Sequence, residues 1–251
     1  MKRKIITVIA DFLLPRICIV CGRRLLNAEE HICLECMAGM PLTYFWKMSH
    51  NAMSDRLNEV IQKRLEKDEG FLWETYAHAA ALFMYHSEDS YKLIPYNIKY
   101  KGDIKAGEYF GRMLGRRLLD RDIWRDADVI IPVPLHWTRR FRRGYNQAEA
   151  IASGIAAEMD IPVRTDILIR RKRTRTQTRL SVKDKAQNVA DAFEVREKIS
   201  LPGMSALRHI IIVDDVFTTG STLHACFVAL REVFPPSVRI SVATLGFVGG
   251  A

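Results

Sequence analysis

From about residue 76 onward, short unbroken apolar runs alternate with stretches whose apolar positions recur every three to four residues. Runs of the first kind suit strands buried on both faces, and the second kind suits helices with one face on a core. Asp128-Val-Ile-Ile-Pro-Val-Pro134 predicts a buried strand closed by prolines, and Ile161–Ile169 predicts a second. His209-Ile-Ile-Ile-Val213 predicts a third and Val238–Phe247 a last one. Between them, Ile104–Asp120 places Ile104, Phe110, Leu114 and Leu118 on or near one helical face. Tyr145–Met159 is an Ala/Ile-rich helix, and Ser221–Val233 another. Such strands separated by helices predict an α/β fold, a largely parallel sheet covered on both faces.

Three parts are expected: residues 1–40 with a short helix and a cysteine segment, 41–75 as a helical connection packed on the sheet, and 76–251 as the α/β domain. Ile5, Ile6, Ile9, Phe12 and Leu13 have helical spacing, but Asp11, Pro15 and Arg16 interrupt the run. It falls well short of the ~20 apolar residues a membrane span needs. No small-x-small cleavage site follows it. The expectation is a cytoplasmic protein without a span.

Composition narrows the partners. With 48% apolar and 27% charged residues, the 251-residue chain is too apolar for a disordered class. Its 38 Lys/Arg against 29 Asp/Glu give a formal charge of +9, and that excess is local. Residues 164–185 hold nine Lys/Arg and two Asp, and Arg139, Arg140, Arg142 and Arg143 form a second cluster. Outside these two segments the chain is slightly acidic. An anionic partner follows, either a phosphorylated small molecule or nucleic acid.

Cys18-x2-Cys21 and Cys33-x2-Cys36 are two CxxC pairs 11 residues apart. Each turn lets two thiolates converge, and two turns complete a tetrahedral Zn²⁺ site with no position left for a reactive water. The intervening Gly22–Ile32, polar with Arg23, Arg24, Glu29 and Glu30, fits the hairpin of a zinc ribbon. Disulfides would need an oxidising compartment, and a redox CxxC would normally occur once. The metal is expected to be structural. Cys226, alone in an apolar run, is expected to be a buried, inert thiol. His136 and His209 are expected in capping or core roles.

The densest chemistry lies in His209-Ile-Ile-Ile-Val-Asp-Asp-Val-Phe-Thr-Thr-Gly-Ser-Thr222. The strand delivers Asp214 and Asp215 to its carboxyl end, where open α/β sheets bind ligands. The turn that follows opens a helix, so free N–H groups and the hydroxyls of Thr218, Thr219, Ser221 and Thr222 face one point at the positive end of its dipole. That suits a phosphate monoester, and the paired carboxylates suit vicinal ribose hydroxyls, directly or through Mg²⁺. Capping the helix would need only one Asp.

This segment resembles the phosphoribosyl pyrophosphate (PRPP) motif of type I phosphoribosyltransferases. The double CxxC start, Pro132-Val-Pro134, Arg139, Arg143-Gly-Tyr-Asn-Gln147 and Thr174-x2-Gln177-x2-Leu180-x7-Asn188-x3-Ala192-Phe193 extend the likeness. Together they resemble the ComF family, a competence-associated, phosphoribosyltransferase-like group with an N-terminal zinc ribbon. The resemblance implies that Asp214 and Asp215 hold the ribose hydroxyls while Thr218, Thr219, Gly220, Ser221 and Thr222 cradle the 5′-phosphate. Arg139, Arg140 and Arg143 would then take the pyrophosphate with Mg²⁺, and residues 170–185, with Gln177, would close over it. Lys185 stands where that family usually has Arg, keeping the charge but losing the bidentate fork. The implied activity is Mg²⁺-dependent phosphoribosyl transfer from PRPP to an acceptor the sequence does not identify, linked to DNA uptake and competence or DNA-processing proteins. The alternative is a non-enzymatic factor whose zinc ribbon and basic loops bind single-stranded DNA, with Tyr145 beside the arginines and PRPP or a nucleotide as regulator.

Overall fold

The computed structural model describes residues 15–66, 74–170, 192–196 and 207–249. The predicted helix over Ile5–Leu13 and the basic stretch 171–185 lie outside the described residues, as do Gln177 and Lys185. Among the described residues no helix is long and apolar enough to cross a membrane.

The central sheet contains β1 (Ala79–Tyr85), β2 (Val129–Pro132), β5 (His209–Phe217) and β6 (Arg239–Val248) in the order β1-β6-β5-β2. All three pairings are parallel, as the apolar runs require. Alternation along β5 supplies both faces. Ile210 and Ile212 join one core, whereas Ile211 and Val213 join the other.

On the first face lie α2 (Ala52–Leu65) and α8 (Ser221–Arg231), which bury Met53, Leu57, Ile61, Leu223, Phe227 and Leu230. Asn51 starts α2 with a capping box to Ser54. On the second face lie α4 (Ile104–Leu118) and α7 (Gln147–Met159), burying Phe110, Leu114, Ile151 and Ile155. These two helices touch backbone to backbone. A Cβ added at Gly154 would stand 2.2 Å from the Glu108 carbonyl oxygen, so only glycine allows this approach. Between α4 and β2, the short α5 (Asp122–Arg125) adds the buried Trp124 to the same core.

The predicted strand at 161–169 is divided. Val163 forms a lone parallel bridge with Ile130 beyond β2, while β3 (Leu168–Arg170) pairs antiparallel with β4 (Phe193–Val195) in a separate sheet. A bidentate Arg164–Asp166 ion pair, with both contacts at 2.8 Å, folds the chain back between the two pieces. Strand β1 and α3 (Leu93–Tyr100) were not singled out by the sequence pattern. Three alanines open β1, and Pro95 sits inside α3, so both carry the wrong local propensities.

Candidate functional site

At the N-terminal end, Cys18, Cys21, Cys33 and Cys36 place their sulfurs within 4.8 Å of one another. Cys21 Sγ and Cys33 Sγ lie 3.8 Å apart, close to the ~3.8 Å edge of a tetrahedron with Zn–S near ~2.3 Å. The amide of Cys33 donates to Cys18 Sγ and that of Cys36 to Cys33 Sγ, each at 3.4 Å, contacts that a thiolate accepts well. Cys33 thereby also caps α1 (Leu34–Ala38). The donor set fits a zinc ribbon, and four thiolates would hold Zn²⁺ without an open position. Glu29 fastens the hairpin, accepting from the amides of Leu26 and Leu34 at 2.6 and 2.8 Å. Those two bonds hold its carboxyl below the usual range despite its burial. The lobe packs Cys18, Val20, Leu25 and Ile32 into the second core of the sheet.

The acid pair occupies the upper part of β5. Strand β2 stops at Pro132, opposite Val213, while β6 continues alongside to Phe217↔Phe247. Asp214 and Asp215 therefore lie past the end of the neighbouring strand on one side, the open edge where ligands of such sheets bind. Asp214 keeps some contact with solvent and accepts from the Asp215 amide at 2.8 Å. Desolvation first, and the Asp215 charge second, hold its carboxyl well above the usual range. Asp215 is buried, and its Oδ2 accepts no hydrogen bond from the described residues. A carboxylate oxygen that, among the described residues, accepts no hydrogen bond and faces only the Lys99 ammonium, at 3.3 Å, fits a hydroxyl donor or a hard cation such as Mg²⁺.

The turn after β5 has the geometry of an anion cradle. Gly220 adopts φ +78°, where a side chain would be strained, and an added Cβ would stand 2.7 Å from the Phe217 ring. Gly220 has no side chain to cap α8, and the Ser221 amide makes only a 3.4 Å contact to the Thr219 hydroxyl, so the amides that open the helix remain available to a ligand. Thr218 and Thr219 are exposed, Ser221 and Thr222 are partly so, and the Thr219 and Ser221 hydroxyls are 2.9 Å apart. Arg56 of α2 steadies this turn by donating to the Thr218 carbonyl at 3.0 Å. No sequence signal pointed to Arg56, 162 residues away.

The arginine segment leaves β2 beside the acid pair, since the Val133 amide donates to Val213 at 2.8 Å. It forms α6 (Trp137–Arg143), capped by His136, and is closed by Asn146, whose Nδ2 donates to the Val133 carbonyl at 3.0 Å. Arg139 lies within α6. Arg140 meets Glu149 at 3.2 Å and Arg143 donates to Gln147 at 3.0 Å. Neither is held against the acid pair in this structure. Tyr145 donates its hydroxyl to the Ile98 carbonyl, so its ring edge is committed to α3. The exposed aromatics are instead Trp137 and Phe141, at 71% and 90%. Their spacing of four with Tyr145, interleaved with arginines, was the available signal.

The remaining expectations concern structural groups. Cys226 is fully buried, its thiol pushed up by burial. His209 is buried between Asp126 at 2.9 Å and the Ser241 hydroxyl at 2.9 Å.

Residues 142–245 match the phosphoribosyl transferase domain family. Competence protein F of Haemophilus influenzae is 40% identical over 114 residues, covering 45% of this chain and 48% of that protein. The DNA utilization protein YhgH of Escherichia coli is 35% identical over 96 residues, covering 38% and 40%. Competence protein ComFC of Bacillus subtilis is 30% identical over 107 residues, covering 41% and 38%. The matched stretch thus spans less than half the length of each of these relatives. With a parallel sheet flanked by helices, the acid-pair turn and the four-cysteine cluster all in one chain, the protein has a phosphoribosyltransferase-like fold and resembles the ComF family.

Proposed function

We propose that Asp214, Asp215 and the Thr218–Thr222 turn bind the phosphoribosyl group of PRPP, and that the protein transfers it to an acceptor. One observation carries this reading. A buried carboxylate, one of whose oxygens accepts no hydrogen bond from the described residues, stands at the open edge of the sheet, one turn before a helix that starts on a left-handed glycine. The acid pair would take the ribose hydroxyls and the α8 amides the 5′-phosphate. Asp214 and Asp215 would also be the ligands for Mg²⁺, which would supply charge neutralisation to a departing diphosphate. In the transfer, the acceptor forms a bond to the anomeric carbon and the bond to the pyrophosphate oxygen breaks, the electron pair leaving with pyrophosphate. Arg139, Arg140 and Arg143 would turn toward that group, with Gln177 and Lys185 closing from the basic stretch. The relatives' names, competence protein and DNA utilization protein, support a role in DNA uptake, which on this reading would be exercised in the cytoplasm beside competence or DNA-processing proteins.

Isothermal titration of the zinc-loaded chain with PRPP in Mg²⁺ tests this. Micromolar binding (Kd of about 1 μM, or about 8 kcal/mol) is expected for the wild type and its loss for Asp214→Asn/Asp215→Asn. Wild type that does not bind overturns the reading.

The exposure of Trp137 and Phe141 on an arginine-rich helix favours a second function, binding of single-stranded DNA, to which stacking and cations both contribute. Trp137→Ala/Phe141→Ala is expected to weaken single-strand affinity by about tenfold or more without changing its salt slope, since no charge is removed. Unchanged affinity would remove α6 from the DNA interface.

A further inference from the structure

The acid pair has a counter-ion that belongs to neither signature segment. Lys99, in the last turn of α3, puts Nζ 3.3 Å from Asp215 Oδ2, the oxygen that accepts no hydrogen bond from the described residues. The two partners differ in surroundings. The Asp215 side chain is 5% exposed and that of Lys99 34%, so the carboxylate is fixed while the ammonium also reaches solvent. The turn carrying Lys99 is joined to the arginine segment on both sides. Tyr145 donates to the carbonyl of Ile98, and the Arg143 guanidinium lies 5.1 Å over the ring of Tyr100. Lys99 therefore sits at the junction of the acid pair and the segment proposed to receive the diphosphate.

We infer that Lys99 is a phosphate-binding residue of this same site, acting as an exchangeable counter-ion. With the site empty it neutralises Asp215. When ribose hydroxyls or a hard cation take that carboxylate, the ammonium is released and moves to an oxygen of the anomeric diphosphate. A flexible four-carbon stem and a point charge suit such an exchange better than a guanidinium fork would. The ion pair also bears on ligand choice. A ligand that offers only a 5′-phosphate and ribose displaces Lys99 without giving it a new partner, whereas one with an anomeric diphosphate does both. The inference rests on the phosphoribose reading and adds the residue that links its two halves.

The test compares PRPP with ribose 5-phosphate, both in Mg²⁺, on the full chain. Lys99→Met is expected to lose about tenfold or more in PRPP affinity, the scale of one charge-assisted hydrogen bond. Its ribose 5-phosphate affinity should hold within about twofold or improve, because a competitor for Asp215 has gone. Lys99→Arg should recover part of the PRPP affinity. If Lys99→Met binds PRPP as the wild type does, or loses both ligands equally, the inference fails while the phosphoribose reading stands. Wild type that binds neither ligand overturns both. Should Lys99→Met not fold, acylation of lysines on the wild type, read by mass spectrometry, gives the same decision. Lys99 should be protected by PRPP and made more reactive by ribose 5-phosphate, and equal reactivity in the two complexes would overturn the inference.

Discussion

The cysteine lobe and the acid-pair site solve opposite problems. The lobe collects its four cysteines from 19 residues of chain, and backbone amides of the same segment hold the Cys18 and Cys33 sulfurs. Its chemistry is local, but its own apolar content is small, so a bound metal would supply what a core would. The acid-pair site has the reverse economy. Its strand is buried without help, in a sheet whose isoleucines fill both faces, yet its chemistry is assembled from distant parts. Lys99, Arg56 and the arginine segment approach Asp214–Thr222 from three other elements. A local site is legible and fragile, whereas an assembled site is robust and half hidden.

The largest effect that separates the two regions should come from metal removal. Stripping Zn²⁺ with a chelator, or Cys33→Ser, is expected to unfold the lobe, since structural zinc contributes on the order of 10 kcal/mol in small domains. Hydrogen exchange should then show lost protection in residues 18–36 with β5 and β6 still protected. Protection lost equally across the sheet would show that the lobe is part of one cooperative unit.

A smaller effect is expected within the body. Gly154→Ala forces a methyl against the Glu108 carbonyl and should cost about 2–3 kcal/mol, read as a lowered Tm. The lobe should still bind its metal.

Smaller again is a pH effect. Burial, and then Arg239, push the His209 imidazole down to about 4, despite Asp126 beside it. The unfolded chain, with an ordinary imidazole near pKa ~6.5, binds the extra proton between these values. The His209 contribution to stability should therefore fall as pH drops from about 6.5 toward 4, with His224 acting in the same sense and the raised Asp214 carboxyl in the opposite one. Urea midpoints across this window should fall less steeply, or rise more, for His209→Gln than for the wild type, the difference between the two slopes being the His209 share. The same slope in the variant would assign it to another group.

How much was legible follows the same division. The alternating isoleucines of β5, the CxxC spacing and the Asp-Asp-x-x-Thr-Thr-Gly run each announce themselves within a few residues. Helices α4, α7 and α8 were visible in their periodicity. Strand β1 was hidden because alanine favours helices, and α3 because Pro95 reads as a break. Lys99 and Arg56 carried no signal, because a lysine or arginine on a helix is ordinarily a solvated charge. Only the fold shows that Lys99 faces the buried Asp215. The strand at 161–169 was over-read because Arg164 and Asp166 fit an alternating strand as well as they fit the ion pair that bends it.

Phosphorus NMR of ribose 5-phosphate in Mg²⁺, titrated with the full chain, tests the central claim most directly. The account predicts that the 5′-phosphate signal shifts and broadens with wild type, and stays at its free position with Gly220→Val, whose side chain would enter the Phe217 ring space. A signal that is unmoved by saturating wild-type protein, or moved equally by the variant, would contradict a phosphate seat at the start of α8.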